Sequence, residues 1–336
     1  MSESATRFEP VVVEQSRQDE LLAAFRKSTL TAPELRRREI RPREPVLGLW
    51  WREADLGFLF APRGRGKTWF SMGAAKAIAA GEPFGPWEVP KARRVLVVDG
   101  EMALDNTRDR EVLLPGAPCE NLVFLHHQAL HDDGAESLDL AIPDAQQALS
   151  ALIEEREIEV LILDNLSCLF RRVAEDKADA WEAILPWLLD LRRQNVSVCI
   201  VHHSGRNHRD MRGTSKREDA ALWIMRLDEP VTAEPDEGAR FIAKLTKNRN
   251  STSRDCPPIE LAFLPCDGGT LQVTHQAITT AERFRIAVRD LGLTRAGDIA
   301  ERLEVTPGTV SKLAAKAAEA GWLRIEGRNY HYAADE

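Results

Sequence analysis

The 336-residue sequence predicts an α/β fold with a mostly parallel sheet, followed by a small helical module that closes in a hairpin. Three observations carry this. From Val46 to about His275, apolar runs alternate with helical stretches, the pattern of a parallel sheet covered on both faces. The string Ala61-Pro62-Arg63-Gly64-Arg65-Gly66-Lys67-Thr68 follows the apolar run Leu56–Phe60 and precedes a small-residue helical stretch. Strand, phosphate-binding loop and helix thus come in the order a nucleoside triphosphate requires. Beyond Ala277 the pattern changes to short helices.

Residues 1–45 read as a polar arm with a short amphipathic piece, Asp19 to Lys27, and a basic run, Arg36-Arg37-Arg38 with Arg41 and Arg43. That run is either a solvated linker or a docking segment for phosphate or a neighbouring subunit. Residues 46–275 form the α/β domain. Its expected strands are Leu56–Phe60, Arg94–Val98, Leu122–His126, Val160–Leu163, Val196–His202, Trp223–Leu227, Phe241–Thr246, Ile259–Leu264 and Thr270–Thr274. A turn containing Asp267-Gly268-Gly269 joins the last two, which predicts an antiparallel edge. Trp181, Ile184, Leu185, Leu188 and Leu191 recur at helical spacing in a crossover helix, Ala178–Arg193, that contains Pro186. Residues 276–336 supply helices at Thr280–Leu291, Arg295–Leu303 and Pro307–Ala320 and a hairpin over Trp322–Tyr332, the order of a winged helix-turn-helix.

Gly64 and Gly66 let the loop curl so that its N–H groups point at phosphate oxygens, and the following helix adds its positive end. Lys67 would reach the β- and γ-phosphates, and Thr68 would offer its hydroxyl to Mg²⁺. Pro62, Arg63, Gly64, Arg65, Gly66, Lys67, Thr68 and the adjoining Trp69 are the candidate ATP-binding stretch, although Ala61 stands where glycine is commoner. Val160-Leu161-Ile162-Leu163-Asp164 is an apolar strand ending in a carboxylate, the place of a magnesium-side aspartate. Val95–Val98 leads to Asp99-Gly100-Glu101; Glu101, just past the strand, is the candidate base for the attacking water, and Asp99 competes with it. His202 and His203 are adjacent on a strand and point to opposite faces, so they do not chelate one ion together. His203 is the one expected near the γ-phosphate.

No segment approaches a membrane span in length, and the polar, acidic start from Met1 to Pro10 argues against a secretory signal, so a cytoplasmic location is expected. The five cysteines, Cys119, Cys168, Cys199, Cys256 and Cys266, form no C-x-x-C pair and read as packing residues. The net charge of −8 gives no global attraction to nucleic acid, so any such binding must be local.

The ordered set of the phosphate loop, Val98–Glu101, Leu163-Asp164-Asn165-Leu166-Ser167, Val201–Arg206, Arg212–Asp219 and Lys247-Asn248-Arg249 resembles the RecA-fold ATPases of the RepA plasmid-helicase type, relatives of the hexameric DnaB-type helicases. The resemblance covers roughly residues 46–275. It implies ATP hydrolysis at subunit interfaces of a homo-oligomeric ring, with Glu101 as catalytic glutamate and His203 as γ-phosphate sensor. It also implies Lys247 and Arg249 acting on the neighbour's γ-phosphate, with Arg212 and Arg217 as rival fingers. The basic loop Gly205–Arg217 would face single-stranded DNA in a central channel. In the C-terminal module, Thr306 is expected to cap the recognition helix before Pro307, with Ala300 packing under the turn. Thr309, Ser311, Lys312 and Lys316, with Arg324 and Arg328 on the wing, would meet duplex DNA; a protein-docking role is the alternative. The expected function is a helicase-type ATPase in replication of a plasmid, phage or integrated element. A DNA-binding regulator that does not unwind and a recombinase mediator are the alternatives.

Overall fold

Segments with no polar face become central strands, because only a sheet covered on both sides buries every side chain. The computed structural model describes residues 9–135, 138–170, 178–205, 211, 216–230, 238–252, 254–266 and 268–333. Contacts divide the chain into two compact units, Met1–Pro42 and Arg43–Glu336.

The first unit holds α1 (Glu9–Ser28) and α2 (Ala32–Arg37). Thr31 caps α2 and Glu34 reaches back to the Thr31 N–H at 2.7 Å, a reciprocal capping box that fixes the helix start. The polar arm is therefore helical well beyond the amphipathic piece expected at Asp19–Lys27. Leu21, Leu22, Phe25 and Leu35 are exposed on these helices.

The second unit begins with β1 (Pro45–Leu47), β2 (Trp51–Arg52), β3 (Leu56–Ala61), α3 (Lys67–Ala80), β4 (Val95–Asp99) and α4 (Leu104–Leu113). Next come β5 (Leu122–His126), α5 (His127–Asp132), α6 (Pro143–Glu155), β6 (Val160–Asp164), α7 (Leu166–Leu169), α8 (Ala178–Arg193) and β7 (Ser197–His203). They are followed by α9 (Lys216–Ala220), β8 (Trp223–Asp228), β9 (Ala239–Asn248), β10 (Ile259–Pro265) and β11 (Leu271–Ala277). The last elements are α10 (Thr280–Arg289), α11 (Ala296–Leu303), α12 (Pro307–Glu319), β12 (Leu323–Glu326) and β13 (Asn329–Tyr332).

The main sheet has the order β11-β10-β9-β8-β3-β7-β6-β4-β5. From β8 to β5 neighbouring strands are parallel. The antiparallel part begins at β8–β9, earlier than the expected last pair, so three strands rather than one hairpin partner extend the sheet on that side. One face packs on α3 and an aromatic group in which Trp50, Trp87 and Trp223 meet edge to face. Gly57 belongs to that packing: a Cβ there would lie 1.9 Å from the Trp223 ring. The other face is covered by α6 and α8, the latter continuous through Pro186. Cys199 packs in the core, whereas Cys266 is exposed at a turn, so the packing role expected for all five cysteines fails there. Among the described residues no helix is long and apolar enough to cross a membrane.

The three C-terminal helices and the β12–β13 hairpin close around Phe284, Ile299, Leu303, Val310 and Tyr330. Thr306 caps α12 by accepting from the Thr309 N–H at 3.2 Å, and Ala300 is buried under the turn. This core is separate from the two that flank the main sheet, while contacts group these helices with the α/β body in one unit. The reason is polar: Glu304, in the left-handed conformation at the end of α11, accepts from Arg226 of β8 at 2.6 Å and from Lys244 of β9 at 2.7 Å. Arg226 also pairs with Asp228 at 2.6 Å and is only 4% exposed.

Burial pushes the Glu304 carboxyl up, but the hydrogen bonds from Arg226 and Lys244 outweigh it and hold it at about 2, below its ordinary 4.5. A depressed carboxylate stabilises the fold fully above its ordinary value and loses that contribution as pH falls toward the folded one. The melting temperature should therefore fall between pH about 4.5 and 2 more steeply in the native protein than in Glu304→Gln, which starts lower at neutral pH. Parallel curves for the two would show that this contact adds nothing to stability.

Candidate active site

Register brings the chemistry to one edge. Ala61 at the end of β3 lies opposite His203 at the end of β7, and Asp99 at the end of β4 lies opposite Asp164 at the end of β6. These are the carboxyl ends of adjacent parallel strands, where open α/β sheets bind ligands. Lys67, Thr68, Asp164, Glu101 and His203 are thereby gathered, whereas Lys247 and Arg249 are not.

The loop after β3 takes its shape from its glycines. Gly64 and Gly66 have φ of +74° and +85°, which favours glycine, and a Cβ on Gly66 would lie 2.6 Å from the Phe241 ring. Among the described residues nothing lies within 4 Å of the Cβ position at Gly64, so they leave the approach to the loop open there. Pro62 is half-buried, Arg63 is exposed, and Arg65 pairs with Glu229 just past β8 at 3.2 Å. Lys67 opens α3, and its ammonium donates to the carbonyls of Ala61 at 3.2 Å and Pro62 at 3.0 Å. Burial lowers the Lys67 pKa, while Asp164 and Glu101 act against that. Trp69 has the Arg110 guanidinium 5.2 Å from its ring and Phe263 beside it. Together with Gly66, Gly238, Phe263 and Leu271 it lines a groove along the loop.

Asp164 is 6% exposed and accepts from the Ser71 hydroxyl at 3.2 Å. Burial, then Asp99 and Glu101 nearby, push its carboxyl up to about 7. Lys67 offsets only part of this, so a cation would stabilise the Asp164 carboxylate, which with the Thr68 hydroxyl offers the hard oxygen donors that Mg²⁺ prefers. Among the described residues no three His, Cys, Asp or Glu side chains come together as a metal cage. Asp164 and Thr68 would hold an ion jointly with phosphate, and the ion would neutralise charge on the phosphate oxygens as in P-loop enzymes.

Asp99 and Glu101 differ in what holds them. Asp99 is 4% exposed; one oxygen accepts from the N–H groups of Glu101 at 2.9 Å and Met102 at 3.0 Å, and the other from the Thr107 hydroxyl at 2.9 Å. It shapes the turn that carries Glu101. The Glu101 carboxylate is exposed and accepts from the Asn165 amide, whose nitrogen also lies 3.5 Å from His203 Nε2. His202 is fully buried, with the Arg217 guanidinium 3.0 Å from its Nε2. Arg217 is itself 3% exposed, which leaves it badly placed as a finger toward a neighbour. Arg206, Arg212 and most of the Gly205–Arg217 loop lie outside the described residues.

Lys247 and Arg249 sit at the other edge of the sheet. Asn248 pairs with Trp223 and Trp223 with Gly57, so the end of β9 lies beside the start of β3, not its end. Lys247 donates to the Glu218 carbonyl, and Arg249 is exposed with its N–H on the Leu222 carbonyl at 2.8 Å.

Sequence reasoning placed Asn165 within a motif but gave it no role, and it did not single out Thr107, Arg226 or Glu229. Asn165 had a local signal, since it directly follows Asp164 and begins an N-cap pattern, but its contact with Glu101 depends on strand register.

A phosphate loop on the central strand, with carboxylates on the ends of neighbouring parallel strands, defines a P-loop nucleoside triphosphatase. Residues 23–209, more than half of the chain, match the AAA domain family AAA_25, and the chain belongs to that family. It is thus a P-loop ATPase by family, with nucleotide binding and the Mg²⁺ such enzymes usually require. No curated protein matches the chain.

Proposed function

We propose that this ATPase is a RepA-like DNA motor that hydrolyses ATP between subunits of a homo-oligomeric ring, in replication of a plasmid, phage or integrated element. Glu101 takes the proton from the attacking water, Asp164 and Thr68 serve Mg²⁺, Lys67 binds the phosphates and His203 senses the γ-phosphate. The base of ATP lies along the groove at Trp69 and Phe263. One observation supports the oligomeric reading: Lys247 and Arg249 lie at the strand ends opposite their own phosphate loop, out of reach of the nucleotide bound there, as expected of side chains that act on another copy's nucleotide. The test is mass measurement with and without ATP and single-stranded DNA, followed by strand displacement on a forked substrate. A ring that unwinds the fork supports the motor; a persistent monomer or dimer that hydrolyses ATP sinks it.

The contact of Glu304 with Arg226 and Lys244 favours a second reading, an ATP-dependent DNA-binding switch. Its end of α11 borders a cleft that Pro62 and Arg65 of the phosphate loop also line, which supports communication between nucleotide and C-terminal module. ATP-dependent duplex binding without unwinding would identify it.

In either reading the C-terminal helices and hairpin act as a winged helix on duplex DNA. Lys312 and Lys316 are exposed one turn apart on α12, and Arg324 and Arg328 are exposed on the hairpin. If both lysines contact phosphates, Lys312→Ala/Lys316→Ala should weaken duplex binding and make the log–log salt slope shallower by about two units. Unchanged affinity and slope would assign the module to a partner other than DNA.

A further inference from the structure

We propose that Asn165 is a positioning residue for hydrolysis, holding the Glu101 carboxylate and the His203 ring in one hydrogen-bonded row. The inference rests on the reading of Glu101 as the base. Strand register supplies the frame: Asp99 lies opposite Asp164, and the Gly100 N–H donates to the Asp164 carbonyl at 2.8 Å, so the residues just past β4 and β6 face one another. Asn165 is fully buried there.

Its amide cannot turn over without loss. Oδ1 accepts from the Cys168 N–H at 3.1 Å as the cap of α7, which commits Nδ2 to the Glu101 carboxylate. The reversed amide would set its oxygen against that carboxylate and its NH₂ against the Cys168 N–H, giving up both bonds. The mount is rigid as well. Leu166 and Leu169 of α7 are buried, and the short helix lies so close to the β4 turn that a Cβ on Gly100 would be 2.7 Å from Leu169 Cδ2.

The same nitrogen has a second hydrogen, directed toward His203 Nε2 at 3.5 Å, the outer edge of hydrogen-bond range. Accepting it requires a neutral ring with its proton on Nδ1. One neutral amide thus ties Glu101 to the group expected to sense the γ-phosphate, and it fixes where the carboxylate points without adding charge beside it.

A plain capping residue would look the same at Cys168 but not at Glu101. Serine and aspartate cap helices about as well as asparagine, and neither supplies the amide donor. In the full-length protein, Asn165→Ser and Asn165→Asp should both lower kcat by about tenfold or more, since small misplacements of a reacting group are costly. In Asn165→Ser, affinity for a non-hydrolysable ATP analogue and the melting temperature should stay near native values, whereas Asn165→Asp buries a further carboxylate beside Asp164 and Glu101 and should also melt lower. Asn165→Asp should be the slower, because its carboxylate would face Glu101. In the Glu101→Gln background, Asn165→Ser should add no further loss, as expected of a residue acting through Glu101.

Native kcat in both single variants would reduce Asn165 to a helix cap and overturn the inference. Losses of analogue affinity and stability in Asn165→Ser that match its loss of turnover, or a further loss in the Glu101→Gln background, would also overturn it. Full turnover by Glu101→Gln itself would instead remove the underlying reading of Glu101.

Discussion

Glu101→Gln is expected to lower kcat by about 10² to 10⁴ while leaving ATP binding intact. The substitution keeps the shape of the side chain and an oxygen that accepts from Asn165, so the turn after β4 is preserved. What it removes is the basic oxygen that takes the proton from water. Asp99, the competing carboxylate, is expected to behave differently. Both of its oxygens are engaged by Glu101, Met102 and Thr107, and Asp99→Asn keeps an oxygen for the two N–H donors while disturbing the Thr107 contact. Its main effect should be on thermal stability, with a smaller loss of turnover. Steady-state ATPase rates measured beside analogue binding decide the matter. If Asp99→Asn stops hydrolysis and Glu101→Gln turns over, the roles of the two carboxylates are reversed.

The strands that carry the site were legible because each is an apolar run that stops at a charged residue. Val160–Leu163 ends in Asp164 and Val95–Val98 ends in Asp99, and their short length and β-branched content, rather than any period, mark such fully buried runs as strands. The phosphate loop was legible because its glycines, lysine and threonine are contiguous. Register was not, since the pairing of Ala61 with His203 joins segments far apart in the chain. The bridge from Asn165 to Glu101 depends on the same kind of pairing. Strand direction beyond β8 was also hidden: alternation marks a strand but does not say which way it runs beside its neighbour. α4 escaped because Leu104–Leu113 is mostly polar and has no apolar stripe, and β1 and β2 are too short to show a period. In the C-terminal module the cap at Thr306 was readable locally. Its docking on Arg226 through Glu304 was not, because a charged residue at a turn usually faces solvent.

Arg249→Ala is expected to leave ATP binding unchanged and to lower turnover by about a thousandfold, the scale of a lost arginine finger. Geometry makes the prediction specific to an assembly. Arg249 lies past the Asn248–Trp223–Gly57 row, and the phosphate loop starts at Ala61, about 13 Å further along β3 at the usual rise per residue, beyond the reach of an arginine side chain. Arg249 therefore does not serve the nucleotide bound by its own chain, and any role at a γ-phosphate is exercised on a neighbour. Mixing Arg249→Ala with Glu101→Gln tests this directly. Each variant alone carries one damaged half at every interface, whereas a random mixed ring at equal ratio leaves about one interface in four with Glu101 and Arg249 both intact. Activity should rise from near zero in either variant to a clear fraction of the native rate, with its maximum near the equal mixture. A flat response at every ratio, in rings shown to exchange subunits, would exclude Arg249 as the trans-acting group and leave Lys247 as the next side chain to test at that edge.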